Sequence, residues 1–346
     1  MAYTEIDNPT DYFNTVLYTG NSGTQAIAVG FQSDWVWCKP RGNTGSHFVT
    51  DSVRGGTKVI FSNTPAAEIT RSNNITGFTS TGYTLGADGT SNYNGDATVS
   101  WNWKAGTSFT NDASSTSVGS IDSAGSVNTD AGFSIISYTG TGSNGTIAHG
   151  LGAKPDMILI KNRSNGQQWS SYWSPLGATK YMRFATTNAV ATASNRFANT
   201  EPTTSVFTVS TDGEVNEDGL DLIAYCFTNI QGYSKVGSYA ANENTDGTFI
   251  YLGFKPAWIM LKQSNLARDW HMFDNKRSSF NAVSKYLRPN EAGAEDSGEE
   301  YVDFLSNGFK IKNTGNRFND ADGTYIYMAF AEQPFVTSTG VPATAR

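Results

Sequence analysis

The chain has 346 residues and a net charge of −7, and 16 % of its residues are charged against about 25 % in ordinary domains. That shortage excludes a long charged coiled coil, and two cysteines exclude a disulfide scaffold. An aromatic content of 13 % argues for cores that bury it, while the acidic balance, without any Lys/Arg run, excludes a nucleic-acid footprint.

Residues 1–11 form an N-terminal segment without the basic and apolar stretches of a signal peptide. No apolar run approaches the roughly 18 residues of a membrane-spanning helix, so no membrane insertion is expected. A first unit, 12–104, opens at Tyr18-Thr19-Gly20, carries Gly30-Phe31 and Trp35-Val36-Trp37, and closes on 98–103. Residues 105–130 are rich in Ser, Thr, Ala, Gly and Asp and read as a loop-like linker. A second unit, 131–228, repeats the plan with Tyr138-Thr139-Gly140, Gly152 through Lys161, and 222–227. A short joint, 229–232, leads to a third unit, 233–335, with Tyr239-Ala240-Ala241, Gly253 through Lys262, and 325–330; residues 336–346 are a C-terminal tail.

The spacings separate a repeat from coincidence. Tyr18 to Tyr138 is 120 residues, Gly30 to Gly152 is 122, and Trp103 to Phe227 is 124. The next set is 101, 101 and 103 residues, ending at Tyr239, Gly253 and Phe330. Three separated anchors that hold register this closely define three tandem units of about 100 residues each. Ring and rod arrangements of the units both remain open at this level.

Within each unit the signals are β. Residues 157–160 and 258–261 are short apolar runs closed by Lys, too short for helices and suited to buried strands. Residues 83–85, 207–209 and 309–311 alternate with period two, as half-buried strands do. Asn94-Gly95, Asp218-Gly219 and Asp322-Gly323 precede the closing runs and tolerate positive φ, which marks hairpin turns. A short helical pattern is visible only around 282–286. The expectation is an all-β chain of three tandem homologous antiparallel β-sandwich units.

Little catalytic chemistry is legible. Residues 140–145 match G-x-G-x-x-G, but 146–150 do not open a helix, so a hairpin turn is expected. Zincin, C-x-x-C and nucleophile-elbow motifs are missing from the sequence, and His47, His149 and His271 share no metal-ligand spacing. Glu295-Asp296, and Glu299-Glu300 with Asp303, are the candidate carboxylate pairs of a polysaccharide depolymerase; without counterparts in the other units they read as a solvated loop. Residues 319–323 loosely match a calcium loop and read as a turn. Asp51 and Arg54 recur as Asp274 and Arg277, where an ion pair pinning a loop is expected. Cys38 and Cys226 are expected reduced. No catalytic residue, metal or cofactor is assigned.

The repeated aromatics are the more informative set. His47, Trp169 and Trp270 are equivalent by the repeat spacing, and Tyr172 and Trp173 crowd the same segment of the second unit. Aromatic faces beside amides and hydroxyls suit sugar rings, which makes these five the ligand-binding candidates. Packing in a core or between units is the plainer reading of the same residues.

The words 12–21, Asp34-Trp35-Val36-Trp37, 51–55 and 100–106, with Gly132-Phe133, Gly150-Leu151, 231–235, 304–310, 327–332 and Gly340-Val341-Pro342, carry a resemblance over essentially the whole chain. It resembles virion structural proteins from tailed bacteriophages of marine bacteria, the cyanophage and pelagiphage type. Ser33 and Cys38 depart from the Pro and apolar residue expected there. The resemblance implies a virion component, made in the host cytoplasm, that contacts other virion proteins and supplies no catalytic residues. A tail fibre or adhesin that binds host-surface polysaccharide is the first expectation. A capsid-decorating or purely structural subunit is the second, as a homo-oligomer or a pseudo-trimer built from the repeats.

Overall fold

Strands Trp35–Pro40, Met157–Asn162 and Phe254–Gln263 are buried along their whole length, so each lies in a sheet covered on both faces. In the computed structural model, which describes residues 3–299, 301–315 and 317–344, these strands belong to three large antiparallel sheets. The first sheet runs Phe13–Thr19, Ala97–Trp103, Trp35–Pro40, Phe48–Asp51, Lys58–Phe61 and Ile69–Thr70. The third runs Ser234–Ala240, Thr324–Pro334, Phe254–Gln263, Trp270–Asp274 and Tyr286–Leu287. The second contains the same order, from Phe133–Thr139 through Asp221–Phe227, Met157–Asn162 and Ser170–Trp173 to Lys180–Arg183, and ends at Ala191–Thr192. In each sheet the closing run is a central strand: Trp103 pairs with both Phe13 and Trp35, and Phe227 with both Phe133 and Met157.

Strand alternation then divides the side chains between two cores. On one face Val36 and Cys38, Ile158 and Ile160, and Ile259 and Leu261 meet small antiparallel sheets that carry Ile27 and Tyr83, Ile147 and Phe207, and Ile250 and Phe309. Each pair of sheets is a β-sandwich. On the other face Trp35 and Trp37, Met157 and Leu159, and Trp258 and Met260 all enter one shared core. Trp35 stacks on Tyr225 with ring centroids 4.6 Å apart, Trp103 meets Trp258 at 5.8 Å, and Phe184 meets Trp270 at 4.8 Å. Every large sheet therefore touches both of the others, which answers the open choice between ring and rod.

Three backbone hydrogen bonds link the sheets in cyclic order. Glu68 N–H donates to the Arg163 carbonyl at 2.8 Å, Val190 to Ser264 at 2.7 Å, and Glu295 to Arg41 at 2.8 Å. The three acceptors stand in equivalent places by the repeat spacing, as do the donors Glu68 and Val190, while Glu295 lies four residues beyond the place the spacing gives.

Two expectations need correction. Residues 105–130 are not a loop: Thr107–Asn111 and Ser123–Asn128 add two strands to the second sheet beside Phe133–Thr139. The small residues serve close approach, since a Cβ on Gly125 would stand 1.8 Å from the Ile135 carbonyl oxygen. The 282–286 helix does not form either; Val283 bridges to Val302, and Tyr286 begins a strand against Phe273. The turn reading agrees with the backbone, where Gly95, Gly219 and Asp322 have φ of +83°, +69° and +53°.

Candidate functional site

The five aromatic candidates lie inside the protein. Trp169, Trp173 and Trp270 belong to the shared core, Tyr172 to the outer core of the second sandwich, and all are at most 1 % exposed. His47 is fully buried, accepts from Trp37 Nε1 on Nδ1 at 3.1 Å and stacks on Trp101. Trp169 Nε1 donates across the sheet junction to the Phe61 carbonyl at 2.8 Å, and Trp173 Nε1 donates to Ser171 Oγ. Tyr172 donates to Glu201. The ligand-contact reading is therefore corrected: no ring face among them reaches solvent, and their size fills a core that three sheets must share.

The Asp–Arg pairs are also interior. Arg54 Nε donates to Asp51 Oδ2 at 2.6 Å and Arg277 Nε to Asp274 Oδ2 at 2.5 Å, with all four side chains fully buried. Each aspartate also receives a donor from a neighbouring sheet, Tyr225 Oη on Asp51 at 2.7 Å and Trp101 Nε1 on Asp274 at 3.1 Å. Glu295 is no solvated loop residue: it accepts two bonds from Arg41 and faces Arg277. Asp296 pairs with Arg288 and Asp303 with Lys312, Glu299 is exposed, and Glu300 lies outside the described residues.

The polar residues of the 319–323 turn are engaged within the protein. Asn319 is buried and ties Asn242 through its amide, Asp320 faces Arg268, and among the described residues no group of three His, Cys, Asp or Glu is arranged to hold an ion. Cys38 and Cys226 are free and buried, and burial pushes both thiols up to about 12. The glycine run 140–145 is the turn entering strand Gly145–Ala148, with no helix to receive a phosphate.

One end of the ring carries an open groove. Three adjoining recesses of about 380, 530 and 460 Å³ run across it. Tyr3, Asn229, Ile230 and Gln231 line the first two, and Tyr12, Thr129 and Asp130 line the second and third. Tyr251 is 51 % exposed at one extremity, and its neighbour on the same edge strand, Phe249, is 44 % exposed. Tyr3 anchors the rim by donating to the Gly253 carbonyl at 2.8 Å, with its hydroxyl 3.3 Å from that of Tyr251. Lys235 lies 5.6 Å over the Tyr251 ring, and Lys104 lies 5.6 Å over Tyr12. Burial, with Asp130 and Asp11 adding negative charge, raises the Tyr12 phenol, so it stays a neutral hydrogen-bonding group.

This groove combines partly open phenol rings with exposed amide and carboxylate side chains, including Gln231, Glu5 and Asp130. That mixture receives a ligand with apolar faces and hydroxyl edges. Sequence reasoning missed it because Tyr3 and Tyr12 precede the repeat anchors. Tyr251 did carry a signal, since Ala28 and Gly150 stand at its equivalent places.

Fold and groove together define an all-β protein with a shared core and a groove at one end. The chain belongs to the family described as a domain of unknown function, DUF7483, which matches residues 8–334. It matches no curated protein. Among the described residues no helix is long and apolar enough to cross a membrane.

Proposed function

We propose that this is a non-enzymatic virion structural protein, tail-associated as a fibre or adhesin-like component, that binds host-surface glycan through the end groove. The observation that carries the binding reading is the placement of Tyr251, half exposed at the rim of a groove that also holds Tyr3 and Tyr12. Sugar C–H faces pack on such rings while hydroxyls meet amides and carboxylates. The virion assignment rests on the sequence resemblance. Host-cell adsorption with wild-type and Tyr251→Ala protein tests the binding: wild type adsorbs to host envelope material and the variant loses most of it. Equal adsorption, or none by either, overturns it. Antibody labelling of intact virions tests the tail position.

The cyclic backbone bonds favour a second reading, a capsid-decorating or purely structural subunit whose three sheets sit on a three-fold position of the particle. Capsid labelling selects it. A depolymerase needs a carboxylate pair in a groove, and Glu5 and Asp130 both line the middle recess. Both are exposed. Release of reducing ends from host polysaccharide would revive that reading.

A further inference from the structure

Away from the end groove and sharing none of its lining residues, a recess of about 300 Å³ is bounded by Thr187 from the second unit and by Arg268, Asp269, His271 and Arg317 from the third. Its polar lining is unusual in three respects. Two guanidinium groups stand partly open, with side-chain exposures of 39 % for Arg268 and 46 % for Arg317; Arg268 donates to Asp320 at 3.4 Å, and Arg317 uses Nη1 on the Tyr286 and Tyr301 hydroxyls and lies 4.0 Å from Asp296, leaving its other nitrogens to the recess. His271 is 3 % exposed, yet its Nε2 has no protein hydrogen-bond partner among the described residues, and neither has Arg268 Nε. The single acid in the lining is turned to other work, since Asp269 Oδ1 accepts from Asn290 at 2.8 Å and Oδ2 faces Arg288.

A buried polar atom left without a partner is costly, and the described residues hold others, His47 Nε2 and Trp270 Nε1 among them. Here two such atoms belong to side chains of one recess whose open groups are cationic. The repeat makes the point sharper. Arg317 stands where the second unit has Glu214 and the first Thr90, and His271 stands where they have Ser170 and Phe48. The third unit alone has placed these groups together. Burial, with Arg288, Arg317 and Lys262 adding positive charge, holds the His271 imidazole well below its ordinary range, so the ring lies in a positive field.

We propose that this recess is an oxyanion site, in which Arg268 and Arg317 bind a carboxylate, phosphate or sulfate group beside the His271 ring. Guanidinium groups suit such planar or tetrahedral anions because they donate from a fixed fork. The volume lies at the lower end of small-molecule sites, enough for a free oxyanion or one acidic sugar residue.

Titration calorimetry of the full chain at low ionic strength, with inorganic phosphate, sulfate and glucuronate each set against chloride, tests the site. Saturable one-site heat is expected with at least one of the three, and the preferred probe tells a free anion from a sugar acid. Arg317→Gln, at a half-exposed position, should fold normally and weaken that binding about tenfold or more, while Tyr251→Ala should leave it unchanged. In NMR the His271 ring resonances should move with the bound probe, and those of His47 and His149 should not. No saturable heat with any probe, or an Arg317→Gln affinity equal to wild type, overturns the proposal and leaves the groove reading untouched.

Discussion

Arg163 holds Glu68 with two hydrogen bonds of 3.0 Å, Nε to Oε2 and Nη2 to Oε1, across the junction between the second sheet and the first. Arg41 holds Glu295 in the same manner at 2.9 and 2.8 Å, across the junction between the first sheet and the third. Behind each glutamate lies a fully buried arginine, Arg54 or Arg277, paired with its own aspartate. At the remaining junction the equivalent places hold Ser264, Val190, Trp173 and Leu176. The backbone bond survives there and the ions are gone. Apolar packing replaces such networks at little loss of stability, so one ring carries both solutions to the same contact.

Removing one member of the network is a different matter from replacing it. Burial works against the Glu68 carboxylate, but Arg163 and Arg54 more than offset this and hold it below its usual range. Glu68→Ala would leave Arg54 and Arg163 short of a partner at a closed junction, with an expected loss of about 3–5 kcal/mol. Lys154→Ala breaks an ion pair whose two side chains are nearly half exposed and should cost under about 1 kcal/mol. Urea unfolding of both variants makes the comparison. Equal losses would mean that the buried network does not hold the junction.

The histidines set the acid limit. Burial pushes His149 down to about 4, and burial first, then nearby cations, lowers His47 and His271. The unfolded chain takes up these protons near pH 6.5 and the folded chain does not. Stability is therefore lost as pH falls from about 6.5 towards 4, by about 1.4 kcal/mol per pH unit for each histidine that stays neutral. Tm should drop clearly between pH 7 and pH 5, and the drop should be shallower in His149→Asn. A flat Tm over that interval contradicts the assignment.

Lys39, Lys161 and Lys262 are equivalent by the repeat, and each uses its ammonium in the same way. Nζ donates to the carbonyl of the next residue and to the carbonyl four residues on, Pro40 and Asn43, Asn162 and Asn165, Gln263 and Leu266. Burial lowers the three to about 8, 8 and 7. Between those values and the ordinary 10.5 the folded chain has released protons that the unfolded chain keeps, so stability rises with pH across the window. Above about pH 10 the buried tyrosines, raised by burial, reverse the slope. Denaturation at pH 7, 8.5 and 9.5 should show the rise, and Lys262→Met should reduce it.

The limits of the sequence reading follow from sheets buried on two sides. Anchor spacing, turn dipeptides and apolar runs depend on local chemistry, and all three were legible. Which way Trp35 or Trp169 faces was not. Alternation distinguishes a buried face from a wet one, and here both faces of the large sheets are dry, so aromatic enrichment marked two cores and a pocket alike. The strands in 107–128 were hidden for a related reason: Gly125 is needed where the Ile135 backbone approaches, and Ser123 and Ser126 bond backbone groups of Ala148 and Gly106, which looks like loop composition. Glu295 read as a surface charge because its partner, Arg41, is 254 residues away.

The division between core and groove aromatics gives a paired test. Trp173 is 1 % exposed and packs on Trp270 at 5.5 Å, so Trp173→Ala opens a cavity where the second and third sheets meet. The expected loss is about 3–5 kcal/mol. Tyr251→Ala removes an edge-strand ring that is half in solvent, with an expected change within about 0.5 kcal/mol. Binding should divide the other way: folded Trp173→Ala protein retains adsorption to host envelope material, and Tyr251→Ala loses it. Unfolding curves and adsorption measured on the same two variants separate the roles, because a core residue changes the first and a contact residue the second. Loss of adsorption in Trp173→Ala under conditions where it is fully folded would return the buried tryptophans to the binding site.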